Sequence, residues 1–364
     1  MLEINGARVW RPLLVILLIL IAPFARARGD DLQKVSLGVG DKSMSPLNVD
    51  KIAPEYLGYF KAEGLTVEFV AAGSNAAVAG GLFSKRLQFG VGLANFELPV
   101  VAKGQKLPAI NFFESAYPFK SAMAVSPDSP IKTFADLKGK RIGVSNFGVS
   151  NMAVAQVLLR VVGLDPENDV SWLAVGEGIT AGSALQRHSI DALMHFKTSL
   201  GDIEAAGIPM RLLPLPAGAP MIGGSFMATP PDMLRDHRNW VVGFGRAMAK
   251  GHVFIQANPE AAAYIYTQMY PEALPPGLSL PEQVKAIEVS IAKLAPLLSP
   301  YDPSVPMGYM KSTEWQNELK FNAIDSAKIN LGDVYTNDLI KEINDFDHKK
   351  IEMEAKNFKI PYKG

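Results

Sequence analysis

The stretch Ser145-Asn-Phe-Gly-Val-Ser150 is where residue type and spacing speak most directly of chemistry. Gly148 allows a backbone to approach a ligand closely, with Phe147 and Val149 on either side, and Ser150 is placed to cap a helix behind it. Exposed N–H groups and the positive end of that helix would attract an anionic or carbonyl oxygen. An ordinary capped helix start would carry the same residues. Gly73-Ser74-Asn75 forms a matching turn earlier in the chain. His195-Phe196-Lys197 follows the apolar run Ala192–Met194 and offers a donor, a ring and a cation in sequence. Lys197 suits the counter-charge of an anionic ligand and His195 a hydrogen-bond donor; a solvated lysine beside a core-edge histidine fits equally well. Phe147, Phe196 and Tyr117 are candidates for stacking on a ligand or for plain packing.

Enzyme constellations are absent by motif. The chain has no G-x-S-x-G elbow, no H-E-x-x-H and no P-loop. Its five histidines, at 188, 195, 237, 252 and 348, have no metal-ligand spacing. Cysteine is missing altogether, which removes disulfides, thiolate metal sites and a cysteine nucleophile. No catalytic residue, metal or cofactor is expected.

Strands alternating with helices must position these groups. Strands are expected at 34–40, 65–72, 88–93, 109–113, 119–126, 140–145, 170–175, 211–215 and 225–229. Between them, helices are expected at 52–63, 75–85, 97–102, 133–138 and 152–162. This spacing predicts βαβ units and a mainly parallel sheet. In such sheets ligands lie outside the carboxyl ends of strands. That rule selects Ser43 and Met44 after the first strand, Ser74 and Asn75 after the second, and Asn95 after the third. Later it selects Ser145–Ser150, Glu177–Thr180 and His195–Thr198.

Residues 65–104 are echoed without a gap by 168–207, so that Gly73 falls on Gly176, Leu82 on Leu185, Leu87 on Ile190 and Gly104 on Gly207. Two similar α/β units suggest two lobes facing across a cleft. The echo sets Ala94 opposite Lys197 and Asn95 opposite Thr198. After Pro231 the chain reads helical, with Trp240, Phe244, Met248 and Ile255 on one face and further helices at 259–269, 281–297 and 336–354. This tail has no sheet of its own and is expected to pack on the first lobe. The chain then crosses between lobes twice, near 115–120 and 216–225. The expected division is 28–118 with 226–364 as lobe one and 119–225 as lobe two.

The N-terminus reads as an export signal. Arg8 and Arg11 precede an apolar run, Leu13–Ala22, too short to span a bilayer, and Ala25-Arg26-Ala27 is a cleavage pattern. Cleavage after Ala27 leaves 33 basic against 35 acidic residues, a net charge of about −2. That balance gives no nucleic-acid footprint. A free monomer in a bacterial periplasm follows.

In this order, several short motifs resemble the periplasmic substrate-binding proteins of ABC importers, in the nitrate/sulfonate/taurine branch, which is related in fold to thiamine-pyrimidine synthases. They are Tyr59–Glu68, Phe89–Gly92, Phe134–Val144, Val162–Pro166, Ser189–Ala192 and Thr336–Asn344. Together they span about residues 34–345. The resemblance implies an α/β, two-lobed, type II-like binding protein that closes on one small ligand and engages a membrane permease with its cytoplasmic ATPase. It places lobe-one contacts at Ser43, Asn75 and Asn95, and the glycine/serine turn at Ser145–Ser150. Where the family commonly carries an acidic or aromatic residue after a Val/Ile-Asp-Ala strand, this chain has Met194-His-Phe-Lys197. The pyrimidine synthases depend on a cysteine-rich segment that this chain lacks. A small organic anion, such as a sulfonate or aromatic carboxylate, is the expected ligand. An extracytoplasmic sensor or an exported enzyme on the same scaffold is the alternative.

Overall fold

The computed structural model describes residues 32–363, apart from 93, 148–149, 275–276 and 301–303; for 95, 96 and 363 it describes the backbone alone. The export signal, its cleavage point, Gly148 and Val149 therefore lie outside the described residues, as does the side chain of Asn95.

The first half opens with β1 (Gln33–Val39), α1 (Val49–Tyr56), α2 (Tyr59–Ala62), β2 (Leu65–Ala71), α3 (Asn75–Phe83), β3 (Phe89–Gly92), α4 (Ala94–Ala102) and β4 (Ile110–Ala116). The single helix expected over 52–63 is two, because Gly58 adopts a left-handed φ of 73° that ends α1 and starts α2. The second half comprises β5 (Ser121–Val125), a 3₁₀ turn at Phe134–Leu137, β6 (Arg141–Val144), α5 (Ser150–Val161), β7 (Ser171–Ala174), α6 (Gly178–Gln186), β8 (Ala192–Phe196), α7 (Lys197–Ala205) and β9 (Arg211–Leu212). The chain returns as β10 (Ser225–Thr229) and continues into α8 (Pro231–Asp236), α9 (Arg238–Ala257), α10 (Pro259–Met269), α11 (Leu280–Leu294), α12 (Ser312–Phe321), α13 (Ile340–Ile343) and α14 (His348–Lys356). The helix expected over 336–354 is broken. Asn344 Nδ2 donates to the carbonyl of Met307, and Asp347 restarts the chain by accepting from the Lys350 N–H at 3.1 Å.

Two five-stranded sheets result, ordered β2-β1-β3-β10-β4 and β7-β6-β8-β5-β9. The expectation of mainly parallel sheets needs correction: each is mixed. β1 pairs parallel with β2 and β3, and β6 with β7 and β8, but β10 runs antiparallel to β3 and β4, and β5 antiparallel to β8 and β9. The physical reason is the path of the chain. β10 and β5 are the strands that arrive from the opposite sheet, so each enters its new sheet against the local direction. The expected strand 211–215 shortens to two residues, since β5 offers β9 partners only at Ala124 and Val125.

The first sheet is covered on one face by α1, α9 and α10, and its core centres on Phe60, Phe89, Phe112 and Phe244. Phe89 and Phe244 stack with ring centroids 3.9 Å apart. Val78, Leu82 and Leu87 fill the other face. The second sheet is likewise covered on both faces, by Phe134, Leu158 and Leu159 on one and Leu185, Leu200 and Ile203 on the other. The helical tail packs on the first sheet, while α11 also lies against α7 of the second half.

Candidate functional site

The two crossings lie side by side at the junction of the sheets. Gly224 N–H donates to the Ala116 carbonyl at 2.7 Å. A Cβ at Gly224 would come within 2.9 Å of both the Ala116 and Pro118 carbonyl oxygens, so only glycine lets the strands run this close. Ser115 and Ser225 join the crossings through their hydroxyls at 2.6 Å.

Above this floor is a cavity with an empty volume of about 480 Å³, counting its open mouth. The crossings supply Phe119, Lys120, Ser121 and Ile222–Gly224; the first half supplies Ala94 and Phe226. The second half supplies Ser150, Val154 and Phe196, and α12 supplies Glu318 and Phe321. The walls are aromatic, with few polar groups among the described residues, as suits a small ligand with an apolar body.

Lys120 Nζ donates to Ser225 Oγ at 3.4 Å. Burial lowers its ammonium to about 8, with the Lys51 charge adding and Asp50 and Asp41 opposing. Lys51 itself is committed, bonding both Asp50 carboxylate oxygens at 2.8 Å in the buried start of α1. Burial pushes Asp50 up, but Lys51 and His252 outweigh it and hold that carboxyl well below the usual range. Glu318 accepts from the Gly223 N–H at 3.1 Å, and burial pushes it up to about 8. Behind it, burial raises Glu114 and Glu314, and Glu114 is raised further by Glu314 and Glu318.

Buried polar atoms without partners gather at the strand ends of the second half. Both side-chain atoms of Asn151, the Thr198 hydroxyl and His195 Nε2 have no hydrogen-bond partner among the described residues. The Phe196 N–H donates to His195 Nδ1 at 2.9 Å, so the neutral ring carries its proton on Nε2 and presents a donor there. Burial lowers this imidazole to about 4, keeping it neutral near pH 7.

Of the residues selected from sequence, Ser150 and Phe196 line the cavity. His195 and Ser145 are buried beside it in sequence, at the ends of β8 and β6. Lys197 is half-buried at the start of α7, is lowered by burial, and is not among the lining residues, whereas Lys120 is. Ser43 is exposed and Met44 buried, the latter accepting from Tyr266 Oη at 3.1 Å through its carbonyl. Ser74 caps α3 by accepting from the Ala77 N–H, and Asn75 packs where Gly40 lacks a Cβ. Phe147 points outward, 61% exposed. Tyr117 lines a separate small recess with Glu114, Ser299 and Tyr309. The backbone of Asn95 lies in the first turn of α4.

Sequence reasoning did not select Lys120, Ser121, Asn151, Glu318 or Phe321. The strand-end rule passes over the crossings, although a lysine between Phe119 and Ser121 at an expected crossing was a readable signal. Nothing local distinguishes Glu318.

Among the described residues, no His, Asp and Glu cluster is arranged to hold a metal ion, and no helix is long and apolar enough to cross a membrane. A match to the family described as NMT1/THI5 like spans residues 51–262. No curated protein matches the chain by sequence. A solved structure from Bordetella bronchiseptica RB50 is similar at 24% identity and TM-score 0.61, over 85% of this chain and 96% of its own. The alkanesulfonate-binding protein SsuA from Xanthomonas axonopodis pv. citri, bound to MOPS, is similar at 17% identity and TM-score 0.57, over 83% and 98%. The periplasmic aliphatic sulphonate binding protein SsuA from Escherichia coli is similar at 16% identity and TM-score 0.59, over 83% and 91%. These likenesses establish a periplasmic-binding-protein fold.

Proposed function

The chain belongs to the NMT1/THI5-like family, and from that membership we propose that it is the exported solute receptor of an ABC importer. Its lobes, 28–118 with 226–364 and 119–225, close on a small organic anion and present the closed form to a membrane permease driven by a cytoplasmic ATPase. It performs no chemistry on the ligand. Cleavage after Ala27 releases it as a soluble periplasmic monomer.

The observation that carries this reading is Lys120, a cation placed by the first crossing inside an aromatic cavity between the two sheets. An ammonium that burial has lowered to about 8 still carries its charge near pH 7, and an anion beside it would raise it again, so binding is linked to the cavity's own electrostatics. Because the crossings form the floor, a ligand there touches both sheets, and its differential contact with the closed state is what can drive closure.

The test is a melting-temperature panel of the mature protein against sulfonates and carboxylates. A ligand at about 100 times its dissociation constant stabilises by about 2.7 kcal/mol. Lys120→Ala should abolish the shift given by an anionic hit, and Lys197→Ala should leave it in place. The reverse pattern would move the counter-charge to Lys197. No shift with any anion would remove the receptor reading.

A further inference from the structure

Among the described residues lining the cavity, one is basic and one is acidic, and they come from different parts of the chain. Lys120 belongs to the first crossing. Glu318 comes from α12 in the helical tail, beyond residue 262 where the family match ends. The acidic wall is thus supplied by a segment outside the residues matched to the family.

The two groups form no ion pair with each other: Lys120 Nζ donates to Ser225 Oγ, and Glu318 accepts from the Gly223 N–H. The charges that act on Lys120 are Lys51, Asp50 and Asp41, from the region following β1. Those that act on Glu318 are Glu97 and Glu314, from α4 and α12. Each group therefore sits in its own electrostatic neighbourhood, and in each burial is the largest influence. Phe119, Phe196, Phe226 and Phe321 make up the aromatic part of the lining. Such a cavity offers an ammonium for an anionic group, an aromatic lining and a carboxyl that a bound amine would draw into its ionised form.

We infer that Glu318 selects the ligand, and that the cavity takes an amphoteric aromatic molecule with an anionic group toward Lys120 and an amine or similar donor toward Glu318. This rests on the reading of the cavity as a receptor site for an organic anion, and adds the second polar group. The contact with Gly223 uses Oε1 of Glu318. A glutamine in its place keeps an acceptor for that N–H and the side-chain size, while losing the ability to become an anion.

Three ring-matched probes test it by calorimetry on the mature chain: 4-methylbenzoate, benzylamine and 4-(aminomethyl)benzoate. The expected result is that 4-(aminomethyl)benzoate binds about ten-fold or more tightly than 4-methylbenzoate. Glu318→Gln should erase that preference while keeping its affinity for 4-methylbenzoate within about two-fold of wild type. Equal binding of the two benzoates by wild type overturns the inference and leaves the receptor reading standing; this comparison requires no variant. A preference that survives in Glu318→Gln also overturns it. If neither benzoate binds, the anion-receptor reading fails first and the inference falls with it.

Discussion

The units β2–α4 and β7–α7 share a backbone almost residue for residue and carry different loads. With a shift of 103, α3 and α6 begin and end at matching positions, as do α4 and α7. Gly73 and Gly176 have φ of 77° and 76°, and the non-glycine residues Lys85 and His188 both take left-handed φ, 59° and 56°. Leu87 and Ile190 each press on a glycine of the strand next to the edge strand, Gly38 of β1 and Gly143 of β6. The side chains then diverge where the last helices meet the tail. In α4, Leu98 is buried among Phe226, Trp315 and Leu319. Its counterpart in α7 is Gly201, where a Cβ would lie 2.8 Å from Ser290 Cα. Asp202 next to it accepts a short hydrogen bond from Ser290 Oγ, and Glu204 pairs with Lys293 at 2.7 Å. One helix is held by apolar burial, and the other by close backbone approach and polar contacts. A single backbone plan thus serves two interfaces, and the difference is written in a few residues.

The largest expected effects come from exchanging these solutions. Leu98→Ala should destabilise by about 2–5 kcal/mol, through lost transfer energy and a cavity beside Trp315. Gly201→Leu should cost about 1–3 kcal/mol or more, since its obstruction includes the backbone of α11 and not only a side chain that can swing aside. Urea denaturation of both variants checks this; a neutral Gly201→Leu would show that α7 and α11 separate easily.

A smaller effect distinguishes the third strands. At the position where the first unit has Gly92, filled in by Asn111, the second has buried His195. Its folded pKa, about 4, lies below the ordinary 6.5, so the unfolded chain takes up a proton first as pH falls. Stability from this group is therefore complete above 6.5 and is lost as pH drops from 6.5 through 4, by up to about 3 kcal/mol. Comparing wild type with His195→Leu at pH 7.5 and 4.5 isolates it: the variant should lose less on acidification.

The smallest effect tests the sameness of the two backbones. His188→Gly should stabilise by up to about 1 kcal/mol, because relief of the left-handed Cβ penalty at φ of 56°, about 1–2 kcal/mol, outweighs glycine's extra freedom in the unfolded chain. Thermal melts suffice. Lys85→Gly at the matching position should gain less, since Lys85 also pairs with Asp232.

Much of this organisation was legible before any coordinates. The bounds of α10 and β10 follow from the sequence directly, because Pro259 opens α10 with Asn258 as its cap and β10 is a short apolar run closed by Pro230. Helix α12 was not legible. Its residues Ser312–Phe321 show no strong apolar stripe, and it is held by Trp315 stacking on Phe226 and Tyr335, at 4.9 Å each. Lys120 was visible only as one charge at a crossing. Glu318 became part of the cavity only through its bond to Gly223, 95 residues away in sequence.

The sequence by itself determined the alternation of strand and helix, the 103-residue echo, the two crossings and the absence of cysteine chemistry. These depend on short-range spacing, on glycine at left-handed turns and on composition, all of which are local. Only the tertiary structure decided which residues line the cavity. That choice depends on where the tail returns: α12 brings Glu318 and Phe321 to a wall shared with Lys120, Ser150 and Phe196. Packing between distant segments sets such a meeting, and no periodicity within either segment encodes it.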